Sequence, residues 1–316
     1  MRILRASLCL LLALCILLGA CAMAEPVAFE DPVIESAIRE ALGVSPDEPV
    51  TTDQLETLTS LGCHKNGVTT LNDLAKCKNL EGLSLTANAK TKFNLEPLRG
   101  LTSLQRLTIN GVVLTIAPAM ELPNLRSLRI RGIVENLDFT PIEGHDSLEV
   151  IDLFSRAANT ATDFMPLQSQ KSMRTVTLPL REEEVRPLLE SWPNLEYFAL
   201  YSCSVTTDEL STMATRKLRQ LQVKLYDDQP ADFSWLSEQP DMYWVILFDC
   251  SPDDAALASL AKAAPGLEYL YLSGKNITDF TPLQSMQLKK LAIHDISKET
   301  RTALEEMLPD VEITAR

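Results

Sequence analysis

Histidine is nearly missing from this chain. His64, His145 and His294 are the only three in 316 residues, and they lie far apart. Also missing are H-E-x-x-H, G-x-S-x-G, the P-loop pattern and C-x-x-C, so zinc proteolysis, nucleophile-elbow hydrolysis, P-loop nucleotide chemistry and dithiol redox all lack their signatures. His145 takes a slot that Leu101 and Leu122 fill elsewhere, and reads as a core histidine. His294 and Asp295 are neighbours with no nucleophile at a defined offset. The acids of "REEEVRP", residues 181–187, read as a solvated helix start. The chain is expected to be no enzyme and to hold no metal and no cofactor.

Positive charge is short as well. Lys and Arg number 29 against 43 Asp and Glu, a net charge of -14, which excludes a general nucleic-acid binder because phosphate binding needs a positive field. Aromatic residues make up 6% of the chain, so any local concentration of them is informative. At 46% hydrophobic the chain is too apolar to be disordered.

Residues 1–24 read as an export signal. Arg2 and Arg5 precede the apolar run "ASLCLLLALCILLGA", and small residues follow. The run is too short for a membrane span, and no later stretch is long and apolar enough to be one. Two cleavage patterns overlap. "LLGAC" resembles a bacterial lipobox, which would leave a lipidated Cys21 as the first residue. "AMA", Ala22 to Ala24, would release a protein beginning at Glu25, and the short tether before Phe29 favours release. Either route predicts an extracellular protein, secreted or lipid-anchored on the outer face of the cell membrane. Only a lipid on Cys21 would bring it to a membrane.

A repeat dominates the rest. "LEGLSL" at Leu80, "LQRLTI" at Leu104, "LRSLRI" at Leu125 and "LEVIDL" at Leu148 share one pattern. "MRTVTL" at Met173, "LEYFAL" at Leu195, "LRQLQV" at Leu218, "MYWVIL" at Met242, "LEYLYL" at Leu267 and "LKKLAI" at Leu288 continue it. Spacings run from 21 residues (Leu104 to Leu125) to 25 (Leu148 to Met173). A weaker copy, "LTSLGC", starts at Leu58, and "VEI" at 311–313 reads as a last partial strand. L-x-x-L-x-L at this period is the leucine-rich-repeat signature. Each unit is a short strand whose alternate side chains point one way, and one strand cannot hide its leucines alone. The predicted fold is therefore an α/β solenoid with a curved parallel sheet on its concave face. The convex side is predicted to be mixed. "DFTPI", "DFMPL", "DFSWL" and "DFTPL" read as tight turns fixed by proline, whereas "TTDELSTMATRKL" and "SPDDAALASLAKAAPGL" begin with helix N-caps.

Ahead of the repeats stands "FEDPVIESAIREALGVSPDEPVTTDQLETLTSL". Asp31 and Pro32 start an amphipathic helix through about Leu42, and Thr52 or Asp53 is expected to cap a second. A helical opening followed by such repeats resembles the N-terminal cap of bacterial internalin-like leucine-rich-repeat proteins. The resemblance implies a surface or secreted binding module, as some members are adhesins for host proteins. The expected organisation is a signal over 1–24, a helical cap over 25–57, repeats over 58–296 and a closing helix and strand over 297–316.

Cys203 and Cys250 each follow a strand leucine by three residues, the repeat's own Asn/Cys position, which Asn88 fills in an earlier unit. They stand two units apart, roughly 10 Å, too far for a disulfide. Cys63 and Cys77 occupy core positions of adjacent turns, either as two buried thiols or as a bridge.

In L-x-x-L-x-L-x the third, fifth and seventh residues face away from the core. Seven of those 30 positions are aromatic: Phe154, Tyr197, Tyr201, Trp244, Phe248, Tyr269 and Tyr271. The same positions hold Arg106, Arg129, Arg131, Lys224 and Lys290 against one acid, Asp152. Arg106, Arg129 and Arg131 come from consecutive units and are expected to cluster. A basic patch beside an aromatic patch suits a protein partner, because Tyr and Trp offer rigid area with a polar tip. A glycan or cell-envelope polymer is the second class such a face could take, since rings stack on sugars and arginines pair with phosphate or carboxylate.

Overall fold

The computed structural model describes residues 25–87, 92–142, 146–155, 162–227 and 229–315. The signal segment with Cys9, Cys15 and Cys21 lies outside the described residues, as do Asn88, His145 and the side chain of Phe154.

Among the described residues, thirteen strands form one parallel sheet. They are β1 (Ser60–Cys63), β2 (Gly82–Thr86), β3 (Lys92–Phe93), β4 (Arg106–Thr115), β5 (Ser127–Asn136), β6 (Val150–Ser155) and β7 (Thr175–Thr177). Then follow β8 (Tyr197–Val205), β9 (Gln220–Leu225), β10 (Trp244–Leu247), β11 (Tyr269–Ser273), β12 (Lys290–His294) and β13 (Glu312–Ala315). Strands neighbour one another in chain order, except that β3 pairs with the second half of β4. One buried row runs from Leu83 through Leu107, Leu128, Ile151, Val176 and Phe198 to Leu221, Val245, Leu270 and Leu291. Each such side chain contributes roughly 1.5–3 kcal/mol by leaving water. The backbone locks the register: the carbonyl of each unit's second residue accepts two N–H groups from the next unit. Glu81 O accepts from Gln105 at 2.8 Å and Arg106 at 3.0 Å, and Glu268 O from Lys289 and Lys290 at 2.8 and 3.0 Å.

The convex side is mixed, as the sequence indicates. In each D-F motif the aspartate accepts the N–H two residues on, from Thr140, Met165, Ser234 or Thr281, at 2.9 or 3.0 Å. That bond starts a short 3-10 turn, and the phenylalanine beside it (Phe139, Phe164, Phe233 or Phe280) plugs the core. Helices replace the turn at Glu182–Leu189, Thr207–Ser211 and Asp254–Ala263. The run 181–187 is not simply a solvated start. Glu184 is buried, accepting from Arg181 N at 2.9 Å and Phe164 N at 3.1 Å and pairing with the Arg181 guanidinium at 2.8 Å. Its place at the third position of a capping box turns it inward.

At the N-terminal end, the helix Pro32–Leu42 buries Ile34, Ala37 and Ile38 in the common core. Asp31 caps it and also accepts the N–H groups of Thr69 and Thr70 at 2.6 and 3.2 Å. Asp31 thus ties the helix to the first loop of the stack. The next helix, Thr52–Glu56, is capped by Thr51 rather than by Thr52 or Asp53, because Gln54 three residues on reaches back to the Thr51 N–H at 2.9 Å. At the other end Ser297 caps Lys298–Met307, and β13 is the last strand.

Two features depart from an even repeat. β4 and β5 are ten residues long and set Gly111 and Gly132 opposite each other at φ of 157° and 151°. β8 runs past the regular ladder: Ala199 faces Gln222, but the next pair is Ser204 with Lys224, so three extra residues bulge outward. Cys203 therefore lies inside a strand, not in the expected turn. Cys63, Cys77, Cys203 and Cys250 are all free thiols.

Candidate binding face

The register places the outward positions in rows across the sheet. One row carries Thr175, Tyr197, Gln220, Trp244, Tyr269 and Lys290 on β7 to β12. The next carries Thr108, Arg129, Asp152, Thr177, Ala199, Gln222, Ile246 and Tyr271. Rows of neighbours at about 4.8 Å bring rings into contact. The Trp244 and Tyr269 centroids are 4.7 Å apart, tilted by 50°. Tyr271 rests on His294 at 5.4 Å. Tyr201 meets Phe248 at 5.0 Å although a whole strand, β9, lies between theirs. The β8 bulge carries Tyr201 outward over that strand, and leaves it 43% exposed. Tyr201 also donates its hydroxyl to Gln222 Oε1.

Beside these rings lies a hollow of about 710 Å³. Arg129 and Arg131 of β5 wall one end, and Arg219 and Tyr243 wall the other. Between them lie Asp152, Thr175, Thr177, Tyr197, Tyr201 and Gln220. Basic and aromatic groups thus share one depression. Arg106 is not among its walls. The register sets Arg106 opposite Ser127, not Arg129, and its guanidinium lies over Gly82 on β2. The expected trio is a pair, Arg129 and Arg131, with Arg106 turned toward the N-terminal strands. The backbone of Phe154 stands opposite Arg131.

Arg129 pairs with Asp152 at a long 3.4 Å. Along the lip, at the second position of each unit, charges alternate: Arg126 pairs with Glu149 at 2.5 Å and Arg174 with Glu196 at 2.6 Å. Arg219 continues that line without a carboxylate partner among the described residues, and is held instead 5.5 Å above the Tyr243 ring. Gln220 donates to the Tyr243 hydroxyl. Burial pushes the Tyr201 phenol well above its ordinary pKa, and Tyr197 beside it adds to the rise. Burial likewise raises Tyr197, against hydrogen bonds from Thr177 and Tyr201. Both rings stay neutral and can donate. Sequence reasoning missed Arg219, Tyr243 and Glu196 because it read only the third, fifth and seventh positions. The signal was the Arg-Glu alternation at the second.

The Ser273 hydroxyl and His294 Nδ1 both approach Asp295 Oδ2, at 3.1 and 2.8 Å, so the carboxylate binds each separately and no serine–histidine relay forms. Among the described residues, no group of three His, Cys, Asp or Glu could hold a metal, and no helix is long and apolar enough to cross a membrane.

No family model matches the sequence, and no curated protein does. Solved structures do match. An internalin, InlF, of Listeria monocytogenes aligns over 93% of this chain and 94% of its own, at 20% identity and a TM-score of 0.61. The functional domain of InlJ from the same organism, described as including a cysteine ladder, aligns over 90% of this chain and 59% of its own, at 15% identity and TM-score 0.61. A leucine-rich-repeat protein of Leptospira interrogans aligns over 83% and 73%, at 18% identity and TM-score 0.57. The fold is an internalin-like leucine-rich-repeat solenoid. Among the described residues no cysteine ladder forms: Cys63 and Cys77 lie in adjacent turns, and Cys203 and Cys250 two units apart.

Proposed function

We propose that this chain is an exported, non-catalytic binding module that recognises a partner protein on its concave face through aromatic and arginine side chains. The observation that carries the reading is the set of half-exposed rings on β8 to β12. Tyr201 with Phe248, Trp244 with Tyr269 and Tyr271 with His294 are each braced by a neighbour instead of being buried by one. Braced rings lose little side-chain freedom on binding, which favours hot spots. In this reading residues 1–24 direct export, 25–57 cap the stack, 58–296 carry the repeats and 297–316 close it. Cleavage after Ala24 frees the protein, and lipidation of Cys21 is the alternative that would hold it at the membrane surface.

The test compares the chain from Glu25 onward with a variant carrying Trp244→Ala, Tyr269→Ala and Tyr271→Ala, after both are shown to melt alike. Each is offered to surface proteins and, separately, to envelope glycans. A protein retained by the parent and lost by the variant supports the reading. A glycan retained in that way transfers the face to sugar binding. Equal retention by both proteins removes the face from function.

A further inference from the structure

In the hollow two arginines lack the pairing that runs along its lip. On the lip, arginine and glutamate neutralise one another in pairs, Arg126 with Glu149 and Arg174 with Glu196. Inside the hollow, the exposed Arg131 and Arg219 have no carboxylate partner among the described residues, in a chain whose net charge is -14. They stand on β5 and just before β9, four strand spacings apart across the sheet and five residues apart along it, so their Cα atoms are roughly 25 Å apart. The floor between them offers the hydroxyls of Thr175, Thr177, Tyr197 and Tyr201 and the amide of Gln220, groups that both give and accept hydrogen bonds.

Resting on the proposal that the concave face binds protein, we infer that this hollow seats an extended acidic segment of the partner. One carboxylate reaches Arg131 and a second reaches Arg219. Eight residues of extended chain span roughly 26 Å, and an even separation puts both side chains on one side of the strand. The peptide backbone between them meets the hydroxyl and amide floor. Asp152 and Glu196 also line the hollow, and they oppose a chain charged at every unit, such as a sulfated or uronic-acid glycan, far more than a peptide with two spaced acids. Arg219 is prepared for this role by the Tyr243 ring beneath it, which orients the guanidinium without neutralising it.

The test is a selection of random displayed dodecapeptides on the chain from Glu25 onward. The enriched peptides are then measured against Arg131→Gln, Arg219→Gln and, as control, Arg126→Gln, all checked for unchanged melting. Enriched sequences are expected to carry two acids about eight residues apart. Their affinity should fall roughly tenfold in R131Q and in R219Q, as for loss of about 1.4 kcal/mol, and hold in R126Q. A selection without acidic peptides overturns the inference, as does equal binding to R131Q, R219Q and parent. Heparin bound in their place, and lost in the same variants, assigns the hollow to polyanions and also overturns it. Peptides lost on the Trp244, Tyr269 and Tyr271 triple variant yet kept by both arginine variants overturn the acidic segment while leaving protein binding on the face intact.

Discussion

Gly132 stands against the carbonyl of Gly111, one strand away: a Cβ on Gly132 would lie 2.0 Å from that oxygen. Since the obstacle is backbone, it cannot swing aside. Gly132→Ala is expected to destabilise the protein by about 2–4 kcal/mol, whereas Gly266→Ala, with nothing within 4 Å of the new Cβ, should stay within about 0.5 kcal/mol of the parent. Urea titration of both variants checks the pair. Equal stability would show that the two backbones part at Gly132 without cost.

Acid should loosen the N-terminal end first. Burial alone would raise the pKa of Asp31, but the Thr69 and Ile34 N–H groups, the Thr69 hydroxyl and the Thr70 N–H outweigh it and hold the carboxyl below its ordinary value. Glu184 follows the same pattern, with burial overcome by Arg181 and the Phe164 N–H. For such groups the unfolded chain takes up its proton at higher pH than the folded one. Their stabilisation is complete above roughly pH 4 and is lost as pH falls through the folded values. Calorimetry from about pH 3 to pH 7 should show the parent's melting temperature dropping at the acid end. Asp31→Asn should melt lower at neutral pH and lose less on acidification. A parallel shift at every pH would remove Asp31 from the acid response.

Core and face should separate cleanly at neighbouring residues. Leu270 is fully buried, and truncating it to alanine should cost about 2–5 kcal/mol. Tyr269, one residue earlier, is half-buried on the opposite side and braced by Trp244, so Tyr269→Ala should cost less than about 1.5 kcal/mol of stability. Denaturant unfolding of the two variants decides whether the outward rings belong to folding or to recognition.

The thiols should be silent until the chain opens. Burial pushes the Cys77 thiol up to about 11, with Asp73 adding to the rise, and burial also raises Cys63. Both are free. Iodoacetamide should leave them unmodified at neutral pH in the folded protein and label them in denaturant, and a reductant should leave the melting temperature unchanged. A melting temperature lowered by reductant would reveal a bridge.

Where the sequence was legible, one period controlled many residues. Leucines such as Leu107, Leu221 and Leu270 repeat at a single spacing, so strand, face and burial all follow from one pattern. The D-F turns were legible for the same reason. What escaped was set by events that break the period. Three extra residues in β8 lift Tyr201 over β9, and a two-residue offset on adjacent strands sends Arg106 away from Arg129. The cap at Thr51, by contrast, was legible as the capping-box spacing T-x-x-Q to Gln54, which the reading of Thr52 or Asp53 passed over. The glycine pair was written in plain sight as "NGVV" and "RGIV", but its meaning depends on two adjacent backbones approaching closely.

The parallel, in-register stacking of β5 to β9 makes the separation between Arg131 and Arg219 a whole number of rungs. The solenoid is in this respect a gauge. Losing one unit between them would draw the two charges closer by about 4.8 Å across the sheet, and gaining one would part them by as much, while leaving every remaining buried row intact. The length of ligand accepted could therefore be reset in discrete steps by gain or loss of a repeat, without redesign of either contact.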